Sequence, residues 1–182
     1  QGIEELDLKK WISKKRERVR NLLYRAFKEY LPKDAEMLTL YAENLFENYL
    51  GEAKNFEYTP AILHADFVGE HVKVDTARGE VTGIIDWGGT RIADPDYDLW
   101  RSFSHYGKEF TNRLLMYYPH SDHELLYKKL DFFYRFQVLN RAVREIRKGT
   151  PEGILGRLSI IKKHALGPGY YEGEIGISVT AR

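Results

Sequence analysis

Apolar positions along the first part of the chain recur every three to four residues. Leu8, Trp11, Ile12, Val19, Leu22, Leu23, Ala26 and Phe27 are separated by Lys and Arg, a spacing that predicts one long amphipathic helix from about Leu6 to Tyr30. The run Lys14-Lys15-Arg16 reads as its solvated face. Leu31-Pro32 breaks the period, and a second helix is expected from about Asp34 to Leu50, ending at Gly51. A polar loop to Pro60 follows. The period then changes from 3.6 to 2: Val72 to Asp75 alternates, Thr76 to Glu80 carries turn residues including Gly79, and Val81 to Ile85 is β-branched. These runs predict a hairpin. Asp94-Pro95 opens a helix expected to reach about Tyr106, with Asp as cap and Pro in the first turn. Ser121-Asp122-His123-Glu124 reads as a capping box before a long buried helix that carries Leu126, Leu130, Phe133, Phe136, Leu139 and Val143 and ends near Gly149. Pro151 starts a last helix to about Leu166. From Gly167 the tail, residues 167–182, is Gly-rich, with a strand-like alternation over Glu174 to Thr180.

The expected architecture is mainly α with a small β-hairpin. At 182 residues the chain suits one domain with a substantial core, 43% hydrophobic and 30% charged. Twenty-eight basic and 27 acidic residues nearly cancel, so charge gives nucleic-acid binding no support. There is no cysteine, hence no disulfide framework and no thiolate chemistry, which fits a cytoplasmic protein. No apolar run approaches the roughly 18 residues of a membrane span. The first residue is Gln, as expected of a fragment of a longer protein.

The chemistry-bearing residues concentrate between Ile62 and Leu99. A hairpin between 72 and 85 would return Asp86 to the neighbourhood of Asp66, and paired carboxylates on irregular backbone can place a base beside a metal ligand. The run His64-Ala65-Asp66-Phe67, then His71, then Ile84-Ile85-Asp86-Trp87-Gly88 and Asp94-Pro95-Asp96-Tyr97-Asp98-Leu99 resembles the signature of the aminoglycoside phosphotransferase family. Phosphoryl-transfer enzymes of the kinase type carry a catalytic Asp with an Asn five residues on, followed by a metal-binding Asp-Phe-Gly. Asp66 and His71 keep that spacing with His in place of Asn, and Asp86-Trp87-Gly88 stands where Asp-Phe-Gly would be.

The resemblance covers about Leu6 to Leu166 and implies the C-terminal helical lobe of a protein-kinase-like fold, with the N-terminal nucleotide lobe absent from this chain. It implies a small-molecule O-phosphotransferase of the antibiotic-resistance type, transferring from ATP or GTP with Mg²⁺ to an aminoglycoside or similar compound. Asp66 would be the catalytic base, His71 and Asp86 the metal ligands, and His64 and Asp98 supports of the catalytic loop. Imidazole is a softer ligand than Mg²⁺ prefers. For a polycationic substrate the candidate carboxylates are Asp96, Glu43, Glu47 and Glu145, together with Asp122 and Glu124; acids on amphipathic helices also simply face water. Aromatic helices could instead line a pocket for a macrolide or build core. Two other classes remain open: a kinase-like binding or regulatory module without turnover, and a metal-dependent hydrolase or oxygenase using His64, Asp66 and His71.

Overall fold

The computed structural model describes residues 3–167, so the expected strand at 174–180 lies outside the described residues. Five α-helices carry the described residues: α1 (Leu8–Tyr30), α2 (Ala35–Gly51), α3 (Asp96–Leu115), α4 (His123–Lys148) and α5 (Pro151–Leu166). Four short strands lie between α2 and α3: β1 (Ala61–Leu63), β2 (Val72–Asp75), β3 (Glu80–Ile84) and β4 (Arg91–Ala93). The architecture is therefore mainly α with a small β component, as the period pattern predicts.

The chain forms two compact units. One comprises residues 7–57 and 131–167, with α1, α2, α5 and most of α4. Asp7 caps α1 by accepting a hydrogen bond from Lys10 N at 2.9 Å, and the helix buries Leu8, Ile12, Val19, Leu23 and Phe27 on one stripe. Phe46, Tyr49, Phe132 and Phe136 form an aromatic core in which Tyr49 stacks on Phe132 with ring centroids 3.6 Å apart. Each such side chain contributes on the order of 2 kcal/mol by leaving water. Thr150 caps α5 through Gly153 N, and Pro151 takes the first helical position, where a missing N–H costs nothing.

The other unit comprises residues 58–130 with 3–6 and holds the strands, α3 and the first two turns of α4. The hairpin forms where alternation predicts it, β2 pairing antiparallel to β3 with Val72 opposite Ile84 and Asp75 opposite Glu80. Its turn is closed by Asp75, whose side chain accepts from Ala77 N at 2.9 Å, and by Gly79, whose φ of +68° a residue with a Cβ would resist. A second pairing joins β1 to β4, with Ile62 opposite Ile92. Three-residue strands carry too short a period to be seen in sequence, and this pair is fixed only by the fold around it.

Two helix boundaries differ from the sequence reading. α3 runs past Tyr106 to Leu115, but two helical segments meet at Gly107, whose φ and ψ of 75° and −173° break the first of them. α4 is capped by Asp122, which accepts from Leu125 N at 2.9 Å, and not by Ser121. Helix entry one residue later brings the Asp122 carboxylate onto the third helical N–H, and His120 Nδ1 takes the N–H of Asp122 itself at 3.1 Å.

Candidate functional site

The site is built on the two loops that flank the hairpin. One loop, residues 64–68, leaves β1; the other, residues 85–90, leaves β3. Ile85 N donates to His71 O at 2.9 Å, continuing the ladder by one pair and drawing the two loops together. As a result one ligand atom each from Asp66, His71 and Asp86 lie within 4.8 Å of one another. Asp66 and His71 are half-buried, whereas the Asp86 side chain is 63% exposed.

Both loops use left-handed backbone at a non-glycine residue, φ +62° at Ala65 and +65° at Asp86. Asp visits this region readily; Ala does so at a cost of ~1–2 kcal/mol. Asp98, in the first turn of α3, offsets that cost. Its Oδ2 accepts from His64 N and its Oδ1 from Ala65 N, both at 2.7 Å. Burial pushes the Asp98 carboxyl above its ordinary value, against the pull of those two backbone N–H groups. From the other side Gly89 packs close: a Cβ there would come 3.1 Å from His64 O.

The two histidines are oriented by their hydrogen bonds. His64 Nδ1 accepts from Asp66 N at 3.3 Å, which leaves Nε2–H to donate to Ile85 O at 2.8 Å, so this buried ring links both loops and is used up in doing so. His71 Nδ1 donates to Asp66 O at 2.9 Å. Its Nε2 then carries a lone pair and faces Asp86 Oδ2 at 3.4 Å. Two acceptors facing each other call for a proton or a cation between them. Asp86 offers the hard oxygen donor that suits Mg²⁺ or Mn²⁺, and the His71 imidazole favours Mn²⁺, the softer of the two.

Sequence reasoning missed two participants. Arg101, one turn beyond Asp98 on α3, brings Nη2 to 2.5 Å from Asp66 Oδ1. Lys129, near the start of α4, is 2% exposed and bridges Asp94 Oδ2 at 3.0 Å and Asp96 Oδ2 at 2.9 Å. A Lys in a Lys128-Lys129 pair on a helix gives no signal of burial, and Arg101 follows the acidic motif without belonging to it. Asp94 caps α3 by accepting from Asp96 N at 3.0 Å. Burial, then the nearby Asp96 carboxylate, hold Asp94 above the ordinary range; burial opposes the charge on Lys129, but the two carboxylates keep it above its usual value.

The remaining candidate acids have other neighbours. Asp96 is 2% exposed, and besides Lys129 it meets Tyr118 Oη and His120 Nε2, each at 3.3 Å, so its charge is taken up inside the fold. Glu43 and Glu47 belong to the helical unit, where Arg16 pairs with both and Arg20 and Tyr24 also donate to Glu43. Glu145 lies on α4 beside Gly149 and Gly153. Next to the loop of residues 64–68 an open cavity of about 770 Å³ begins at Phe67 and continues past Gly69, Tyr106 and Phe110 to Glu109 and Arg113.

The model of the phosphotransferase enzyme family matches residues 3–133. The chain belongs to that family. Viomycin phosphotransferase of Streptomyces vinaceus is 37% identical over 59 residues, which are 31% of this chain and 21% of that protein. Among solved structures, the GDP complex of wild-type aminoglycoside 2'-phosphotransferase-IIIa superposes with a TM-score of 0.74 at 25% identity, over 90% of this chain and 53% of the other. The complex of the IIIa enzyme with GDP and kanamycin gives a TM-score of 0.72 at 25% identity, over 89% of this chain and 53% of the other. The chain thus spans about half the length of the solved relatives and about a fifth of the curated one. The fold is that of the helical lobe of these kinase-like enzymes.

Proposed function

We propose that the chain is the catalytic and acceptor-binding part of an O-phosphotransferase that moves the γ-phosphoryl group of ATP or GTP to a hydroxyl of an aminoglycoside or related antibiotic. The observation that carries this reading is the convergence of Asp66, His71 and Asp86 at one end of the hairpin, with Asp98 bracing the loop that carries Asp66. This reading requires a nucleotide lobe in addition to these residues and a cytoplasmic setting, where ATP and GTP are available.

Asp66 accepts the proton of the acceptor hydroxyl as its oxygen bonds to the γ-phosphorus. The bond from that phosphorus to the bridging oxygen breaks, and the nucleoside diphosphate leaves with the electron pair. His71 and Asp86 would hold a divalent cation, which would supply positive charge to stabilise the phosphate oxygens during transfer. His64 and Asp98 keep the loop in place. Asp96 is engaged with Lys129, so within this unit a cationic acceptor would meet the exposed Glu109, which lines the cavity and pairs with Arg113 at 3.4 Å.

The test is a Mg²⁺-dependent nucleotide-consumption assay on the protein that carries both lobes, against aminoglycosides, viomycin-like peptides and macrolides. One antibiotic class should stimulate turnover. Asp66→Ala should lower kcat by about 10²- to 10⁴-fold, the range of general acid–base catalysis, and Asp86→Ala should raise the Mg²⁺ concentration needed. Full activity in Asp66→Ala refutes the assignment.

A further inference from the structure

Asp66 Oδ1 is buried, and among the described residues no donor other than Arg101 meets it. The 2.5 Å approach of Nη2 is off the hydrogen-bond line, so the contact is an ion pair held by proximity and charge. The Asp66 side chain is nevertheless 39% exposed, and with Oδ1 covered, that exposure leaves Oδ2 as the accessible oxygen. The guanidinium is itself constrained. It lies 5.0 Å over the ring of Trp100, which is 4% exposed, and its Nε is buried without a partner. Asp98 and Arg101 are three residues apart on α3 and therefore share a helix face. One face of one helix thus grips the catalytic loop twice, by its backbone through Asp98 and by its carboxylate through Arg101.

We propose that Arg101 is a positioning residue for Asp66, covering Oδ1 so that Oδ2 alone is presented to the acceptor hydroxyl. This rests on the reading of Asp66 as the base. A carboxylate free to rotate would offer either oxygen and sample unproductive rotamers, and misplacement of a reacting group by about 1 Å can cost on the order of 10²-fold in rate. Lys keeps the charge but cannot reproduce the planar fork stacked on Trp100, so it restores the contact only in part.

The experiment is a double-mutant cycle on kcat in the protein that carries both lobes, using Asp66→Asn, Arg101→Ala and the pair, with Arg101→Lys as the conservative variant. Arg101→Ala should lower kcat about 10- to 10²-fold with the nucleotide KM unchanged, Arg101→Lys should recover part of that loss, and the double variant should be no slower than Asp66→Asn alone. Additive losses, or a kcat within about twofold of wild type in Arg101→Ala, overturn the proposal. Thermal melts followed by circular dichroism establish that each variant folds; if Arg101→Ala does not, the cycle is run with Arg101→Lys, and additivity there overturns it equally. Full activity in Asp66→Asn would instead refute the assignment of the base, a result distinct from failure of the Arg101 coupling.

Discussion

Lys129→Met tests how α3 is anchored. The Lys129 ammonium neutralises two carboxylates that are almost wholly buried, Asp94 at 0% and Asp96 at 2% exposure. The two bonds to Nζ place the carboxylate oxygens no more than about 6 Å apart. At an effective dielectric of about 20, two like charges at that separation repel by ~3 kcal/mol. Removing one partner of a buried ionic group generally costs ~3–5 kcal/mol, because the remaining charge stays desolvated. We therefore expect Lys129→Met to lose about 3–5 kcal/mol in urea unfolding followed by circular dichroism, and on the order of 6–20 °C in melting temperature at about 2–4 °C per kcal/mol. The loss should shrink as pH falls. Asp94 sits above the ordinary carboxylate range, so its contribution favours the fold below that range and is lost as pH rises through its raised pKa; without Lys129 that loss grows, and acid relieves it by protonating one carboxylate. Adding Asp94→Asn and Asp96→Asn to Lys129→Met should restore part of the stability. A loss below about 1 kcal/mol, or one that does not vary between pH 4 and 8, refutes the account.

Asp98→Asn leaves one carbonyl oxygen where two carboxylate oxygens accept the N–H groups of His64 and Ala65 at 2.7 Å, and it puts an amide donor against an N–H. It should cost about 1.5–3 kcal/mol, the worth of a hydrogen bond to a charged group, and lower kcat more than it raises the nucleotide KM; an unchanged kcat removes Asp98 from the support of the loop. In the helical unit, hydrogen bonds from Arg20, then Arg16 and Tyr24, hold Glu43 down to about 2 against the opposing effect of burial. A depressed folded-state pKa gives stability that is present above the usual carboxylate value and is lost as pH falls through it toward 2, so Glu43→Gln should cost about 1–2 kcal/mol at pH 7, after allowance for the partly exposed arginines, and nearly nothing at pH 2. A pH-independent difference in chemical denaturation would count against this assignment.

Sequence by itself determined the helices, the hairpin and the motif residues. Apolar spacing of three to four residues places α1, α2, α4 and α5 within one or two residues of their ends, because each helix buries a single stripe. Alternation and the Gly79 turn place β2 and β3 for the corresponding reason, a side-chain period of two. The spacing of Asp66, His71 and Asp86 across that hairpin put them in one neighbourhood before any coordinates. Tertiary structure alone decided what surrounds them. β1 and β4 are three residues each and pair across about thirty residues of chain, a distance over which no local pattern acts. The left-handed turn at Ala65 exists because Asp98 accepts two N–H groups from a segment more than thirty residues away. Lys129 and Arg101 carry no signal in the sequence, and only folding sets one between two buried carboxylates and the other against Asp66. In each case a long, cationic side chain takes its role from charges distant in sequence, and electrostatic partnership, unlike hydrophobic periodicity, leaves no repeat along the chain.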